Sequence, residues 1–242
     1  MGDIHGRADL LAALCARLEQ RAAQDVRASG APIVVFLGDY VDRGPRSANV
    51  IHLLLSGRPN GFERRYLKGN HEECMLAFMD SPLANRAWLM QGGAETLMSY
   101  GVQPPSPISA TEADWLAAAG RLKARVPPAH MQFLTSLERY VVLGDYAFVH
   151  AGVNVGRPLE QQTDADLYWS RERFLNDRRR FSHRVVHGHT PAEKPFADER
   201  RVGVDTGAYA TGVLTAARFE GVEVSFVSVG DGGAGAPEGA GT

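Results

Sequence analysis

Over residues 7–28 the apolar positions Leu10, Leu11, Leu14, Leu18 and Ala22 recur at helical spacing among Arg, Glu and Gln, which predicts an amphipathic helix. Ser29-Gly30-Ala31-Pro32 ends it. The run that follows, Ile33-Val34-Val35-Phe36-Leu37, is short, unbroken and β-branched, as expected of a strand buried on both faces. Gly38 stops that strand. A second helix is predicted over residues 47–56, and a second strand closes at Leu67, before Lys68-Gly69. Further strands are predicted over residues 140–143, 146–149, 184–186, 202–204, 213–219 and 222–229. Residues 73–137 have a helical pattern instead, interrupted by the Pro-rich stretch 103–109, which reads as a surface loop.

Strands alternating with helices, followed by strand-rich sequence, predict a layered α/β architecture with a helical insertion. Residues 1–229 are expected to form one domain, with the insertion at about 73–137. Residues 230–242 are almost all Gly, Ala, Pro or acidic and are expected to form a disordered tail, because they offer too little apolar surface to offset the entropy of ordering.

Composition narrows the functional classes. Lys and Arg number 26 against 28 Asp and Glu, a formal charge of −2, so no field of one sign is available to hold a nucleic-acid backbone or an anionic membrane. With 44% hydrophobic and 22% charged residues in a chain of 242, an ordinary globular protein with a substantial core is expected. The two cysteines, Cys15 and Cys74, lie in helical segments without metal-site spacing, which fits a reducing cytoplasm. No membrane span or secretion signal is predicted, and the mature chain is expected to start near Met1.

Most of the chemistry-bearing residues fall in five short segments: Gly2-Asp3-Ile4-His5-Gly6, Gly38-Asp39-Tyr40-Val41-Asp42-Arg43-Gly44, Gly69-Asn70-His71-Glu72, His150-Ala151-Gly152 and His187-Gly188-His189-Thr190. Singly, Asp or Asn beside Gly is an ordinary turn former and a lone His is commonly structural. Several of these segments follow directly on an apolar strand, where open α/β sheets bind their ligands, so they can meet in space. Carboxylate, carboxamide and imidazole without thiolate suit hard to borderline divalent metals such as Mn, Fe or Zn. A single mononuclear site does not need so many ligands.

In order and wording, GDIHG, GDYVDRG, GNHE and the later His-Ala-Gly and Gly-His segments resemble the phosphoprotein phosphatase family of metal-dependent Ser/Thr phosphatases, especially its compact bacterial and bacteriophage members. The resemblance runs from Gly2 to about Gly207 and implies a calcineurin-like metallophosphoesterase fold, a layered β-sandwich flanked by helices. It implies that Asp3, His5 and Asp39 hold one metal, and that Asp39, Asn70, His150 and His189 hold the second, with Asp39 as the bridge. Two divalent cations, Mn2+ foremost and Fe or Zn as alternatives, would present a bridging hydroxide in line with the leaving group. His71 would donate a proton to the departing alkoxide while Asp42 orients its imidazole. Arg43, Arg171 in Trp169-Ser170-Arg171, and Asn70 would bind the substrate phosphate.

Between His187 and His189, the His after Gly is the ligand by this resemblance. His187 is left as a supporting residue, and His52, His130 and His183 match no motif and are expected on the surface or in packing. Glu72 is expected to support the helix start rather than to bind metal, and Asp205-Thr206-Gly207 to be structural. Residues 88–101 read equally well as a helical cap beside the site or as an ordinary helix after a Gly turn. Family members carry a strand directly before the GDIHG segment, whereas this chain begins Met1-Gly2-Asp3. The expectation is that this strand lies upstream of Met1, and that without it Asp3 and His5 hang near a mobile terminus.

The leading expectation is a Mn-dependent serine/threonine protein phosphatase acting on a phosphoprotein or phosphopeptide, without an obligatory regulatory subunit. The main alternative is the symmetrical diadenosine tetraphosphate hydrolase, a branch that tends to carry Asp where this chain has Glu72. A further alternative is an inactive binding protein that keeps the metallophosphoesterase fold.

Overall fold

The computed structural model describes residues 1–24, 31–221 and 223–231 of the 242. In chain order its elements are α1 (Ala8–Gln24), β1 (Ile33–Phe36), α2 (Ser47–Leu55), β2 (Glu63–Tyr66), α3 (Asn70–Asp80), a 3-10 turn (Arg86–Gln91), α4 (Gly93–Ser99), α5 (Glu112–Arg125) and α6 (Pro128–Thr135). Then follow β3 (Val141–Leu143), β4 (Tyr146–Phe148), a 3-10 turn (Leu159–Gln161), α7 (Asp164–Trp169), α8 (Glu172–Leu175), β5 (Arg184–His187), β6 (Phe196–Ala197), β7 (Arg201–Gly203), α9 (Ala208–Thr211), β8 (Val213–Glu220) and β9 (Glu223–Gly230). The long strands and helices sit where the periodicity predicts them, while short β6 and one-turn α8 and α9 give too little pattern to be seen. The insertion begins earlier than expected, because α3 starts at Asn70 within the GNHE segment.

The expected tail is corrected at its start: Gly230 is the last residue of β9, paired with Val213, and Asp231 forms an ion pair with Arg7. The rest of that tail, like the end of the first predicted helix and Val222, lies outside the described residues.

The strands form a parallel pair β1-β2, a five-stranded sheet in the order β3-β4-β5-β7-β6, and an antiparallel pair β8-β9. Alternation along the strands defines the layers. In β1, Val34 and Phe36 join the core shared with α1, α2 and the insertion, while Val35 turns to the core shared with Val186, Val202 and Phe148 of the larger sheet. In that sheet, Phe148 and Val186 face this inner core, whereas Ala147 and Val185 face Leu167, Tyr168 and Phe174 on its far side. The result is two sheet layers packed face to face with helices outside both, a calcineurin-like layered arrangement.

Met1 and Gly2 join β1 to β8. The Met1 ammonium donates to Val35 O at 2.8 Å, Leu37 N donates to Met1 O at 3.1 Å, and Gly2 N donates to Thr215 O at 3.0 Å. The expectation of a loosely hung first segment is therefore corrected: residues 1–5 are buried, and Ile4 N and His5 N both donate to Asp39 O, at 3.0 and 2.9 Å. Beyond this junction a cavity of about 1230 Å³ opens beside β1 and β8, lined by Ile33, Val35, Ala216 and Phe219 and by none of the motif imidazoles or carboxylates. Among the described residues no helix is long and apolar enough to cross a membrane.

Candidate metal centre and active site

The motif residues gather just beyond the ends of β1, β2, β4 and β5, carried there by tight loops. Five non-glycine residues have positive φ, and all belong to these motifs: His5 (45°), Asp39 (52°), Asp42 (74°), Arg43 (65°) and His189 (63°). Left-handed backbone costs a non-glycine residue about 1 to 3 kcal/mol, so the surrounding packing sustains a strained ring of loops that aims side chains at one point. Two glycines permit the crowding. A Cβ on Gly69 would lie 2.1 Å from Asp39 Oδ1, and one on Gly188 would lie 2.1 Å from Asp3 Oδ1.

Asp39 stands at the centre, belonging both to a group with His5 and His71 and to a group with His150 and His189, each compact enough to hold a cation. Its Oδ2 is 3.4 Å from His5 Nε2, and its Oδ1 is 3.4 Å from His150 Nε2. His5 Nδ1 lies 2.8 Å from Val41 O and His150 Nδ1 lies 2.8 Å from Leu37 O. A carbonyl can only accept, so both rings carry their proton on Nδ1 and turn the Nε2 lone pair inward.

In the second group, Asn70 Oδ1 is 3.0 Å from His150 Nε2 and 2.9 Å from His189 Nδ1, and the two ring nitrogens are 3.2 Å apart. Four donor atoms at such spacings suit a divalent ion with ligand bonds of about 2.0 to 2.2 Å. In the first group, His5 Nε2 is buried without a hydrogen-bond partner, an orphaned lone pair that a cation would satisfy. Asp3 is buried beside this cluster, with both carboxylate oxygens accepting the His189 N–H at 3.0 and 3.1 Å. The compact first group includes His71 rather than Asp3.

Electrostatics agree with a centre built for positive charge. Burial and neighbouring Asp205 push Asp3 well above the usual carboxylate range. Burial lowers His5 to about 3, and burial with nearby His150 lowers His189 to about 2, so both rings stay neutral and able to coordinate. At Asp39, His150 and His71 outweigh burial and hold the carboxyl well below its ordinary value. Glu72 is not aimed at the cluster. Its two oxygens accept backbone N–H groups of Asp39, Tyr40, Val41 and Gly69 at 2.7 to 3.2 Å, locking the GDYVDRG loop to the start of α3.

On the outer side, His71 Nδ1 lies 2.6 Å from Asp42 Oδ2, and Arg43 Nη2 approaches His71 Nε2 at 3.1 Å. Arg171 Nε donates to His189 Nε2 at 3.0 Å. His187 is buried behind the cluster beside Arg201, 3.3 Å away, and His130 pairs with the Tyr100 hydroxyl at 3.0 Å. Three residues at the site carry no motif signal: Trp88 and Thr96, which bond Asp42, and Tyr209, whose half-exposed ring lies under the Arg43 guanidinium at 4.7 Å and 5.4 Å from His5. An exposed aromatic within the DTG segment and polar groups in the ambiguous 88–101 stretch were the available signals.

The profile of the calcineurin-like phosphoesterases matches residues 1–226. The chain belongs to that family. As a metallophosphoesterase it is a hydrolase, and its donor groups are suited to divalent metal ions. Among curated relatives, the asymmetrical bis(5'-nucleosyl)-tetraphosphatase PrpE of Bacillus subtilis is 28% identical over 246 residues, covering 95% of this chain and 92% of that protein. Serine/threonine-protein phosphatase 1 of Salmonella typhimurium is 28% identical over 225 residues, covering 91% and 90%. A structure solved for a candidate diadenosine tetraphosphatase shares the fold at a TM-score of 0.57 and 19% identity, over 100% of this chain and 91% of that one. The nucleotide-cleaving relatives are thus named for the asymmetrical reaction, whereas the sequence alternative was the symmetrical one.

Proposed function

We propose that this metallophosphoesterase is a serine/threonine protein phosphatase that hydrolyses phosphomonoesters with two divalent metal ions, Mn2+ foremost. Asp3, His5 and Asp39 would hold one ion, and Asp39, Asn70, His150 and His189 the other. When bound, such a pair supplies Lewis-acid stabilisation of phosphoryl oxygens and acidifies water at neutral pH.

The observation that carries the reading is the His71–Asp42 pair at 2.6 Å, with Asp42 fully buried. An alkoxide leaving from phosphoserine or phosphothreonine is a strong base and needs a proton as its bond to phosphorus breaks; a nucleotide leaving as a phosphate anion does not. Asp42 accepts from Nδ1–H, so a second proton on the ring sits on Nε2, the nitrogen that faces outward toward Arg43. Asp39 and Asp42 outweigh burial and raise the affinity of His71 for that proton. Arg43 and Arg171 reach the two ends of the cluster and supply forked donors for the phosphoryl oxygens, with the Asn70 amide between them.

A second reading, hydrolysis of dinucleoside tetraphosphates, is favoured by the similarity to the Bacillus subtilis protein. The two are separated by phosphorus NMR with Mn2+, offering a phosphothreonine peptide and diadenosine tetraphosphate at equal concentration. Inorganic phosphate from the peptide, with the dinucleotide intact, is the expected result. ATP with AMP would move the chain to the asymmetrical nucleotide branch and ADP to the symmetrical one, and either appearing first would overturn the proposal.

A further inference from the structure

The helical insertion reaches the acid side of the site through two side chains. Trp88 Nε1–H donates to Asp42 Oδ2 at 2.7 Å, and the Thr96 hydroxyl donates to Asp42 Oδ1 at 2.7 Å. The Asp42 N–H meets Thr96 Oγ1 at 2.8 Å and Ser47 Oγ at 3.0 Å, and those hydroxyls are 2.9 Å apart. The same segment seats the next residue, because Gly92 O accepts the Arg43 N–H at 3.1 Å. A Cβ on Gly92, whose φ is 108°, would come within 2.5 Å of Arg43 N. Trp88 is itself fixed, packed on Phe78 at 4.9 Å and closed over by Gly93, where a Cβ would strike the indole at 2.4 Å.

Asp42 and Arg43 occupy consecutive left-handed conformations, so this turn does not hold its shape alone. With His71 on one oxygen, Trp88 sharing it and Thr96 on the other, the plane of the Asp42 carboxylate is fixed by three donors. That plane sets the tilt of the imidazole and the direction of Nε2. If Trp88 or Thr96 loses its donor, the carboxylate can rotate and a proton on Nε2 is misaimed. Misaiming matters where the leaving group must be protonated and hardly matters where it leaves as a stable anion.

We propose that Trp88 and Thr96 are positioning residues that act through Asp42, and that residues 86–99 thereby determine which leaving groups the enzyme can expel. Alkyl phosphates require this segment intact, and activated aryl phosphates do not. The inference rests on the reading of His71 as the proton donor.

The test compares Trp88→Phe, Thr96→Val and Thr96→Ser with the unaltered enzyme, each loaded with Mn2+, on a phosphothreonine peptide and on p-nitrophenyl phosphate. In Trp88→Phe and Thr96→Val, kcat for the peptide should fall about tenfold to a hundredfold and that for the aryl ester less than about threefold, since a positioned acid contributes about a hundredfold or more in all. KM should change little, and Thr96→Ser should restore the wild-type ratio. Because the readout is the ratio of two rates from one preparation, a partly unfolded fraction cancels. Equal losses on both substrates, or no loss on either, would overturn the inference.

His71→Asn in the same assay separates the two levels of argument. If His71→Asn slows both esters alike, the proton-donor reading fails. If His71→Asn is selective for the peptide and the Trp88 and Thr96 variants are not, this inference alone fails.

Discussion

The carboxylate of Glu72 fastens the backbone beneath Asp39, accepting the Asp39 N–H on Oε2 at 2.9 Å. Oε2 also takes the Gly69 N–H at 2.9 Å, while Oε1 takes those of Tyr40 at 2.7 Å and Val41 at 3.2 Å. Glutamine keeps the shape but has one acceptor oxygen, and it turns an NH2 group toward two N–H donors. Glu72→Gln should therefore lower unfolding stability by about 3 kcal/mol, the scale of two lost charge-assisted hydrogen bonds. Urea unfolding of the metal-loaded protein measures this, and an unchanged midpoint would show that the four donors find other partners.

Asp39 is shared by both donor groups, so its charge serves two cations. Asp39→Asn is expected to weaken both ions together, dropping the metal content from about two per chain to well below one after dialysis, as a bridge between paired cations requires. Elemental analysis of dialysed protein decides it. Retention of one full equivalent would mean that one group binds without the bridge.

Much of this centre was legible in the sequence because its residues sit next to glycine in short loops after strands, where loop geometry leaves little freedom. Asp39, Asn70, His71, His150 and His189 do converge, and Glu72 supports rather than faces the cluster. What could not be read is what depends on contacts distant in sequence. Trp88 and Thr96 meet Asp42 across 46 and 54 residues, and nothing local marks a Trp or a Thr as a partner for a carboxylate. The anchoring of Met1 and Gly2 was missed for the same reason: it depends on Val35 and Thr215, and the partners of a segment too short to show alternation cannot be inferred from its own residues.

A pH effect is expected away from the metal centre, at His130. Burial and nearby His52 hold this ring below its ordinary value, and its Nδ1 pairs with the Tyr100 hydroxyl. As pH falls through about 6.5, the unfolded chain takes up this proton before the folded one does, so the stability contributed above that pH is lost on acidification. His130→Gln should flatten the decline of unfolding free energy with falling pH below about 6.5. Parallel urea titrations across that range test this, and identical slopes in the two proteins would contradict it.

The centre itself should couple metal to folding. Asp3, Asp39 and Asp205 are buried close together, and the first is pushed well up by its burial and by Asp205. Gathering carboxylates away from water is unfavourable unless positive charge joins them, and the imidazoles of His5 and His189 stay neutral because burial lowers both, to about 3 and about 2. The missing charge is what a divalent cation brings, so binding energy should appear as folding energy. At a free Mn2+ concentration a hundredfold above the dissociation constant, each site should add about 2.7 kcal/mol. The midpoint of thermal unfolding should then rise with Mn2+ and fall when a chelator strips the protein. In Asp39→Asn the rise should shrink for both ions at once, whereas in His5→Ala it should shrink for one. If Mn2+ leaves the midpoint of the unaltered protein unmoved while the ion is bound at equilibrium, the buried carboxylates are neutralised by protons instead, and the cluster is not organised around a cation.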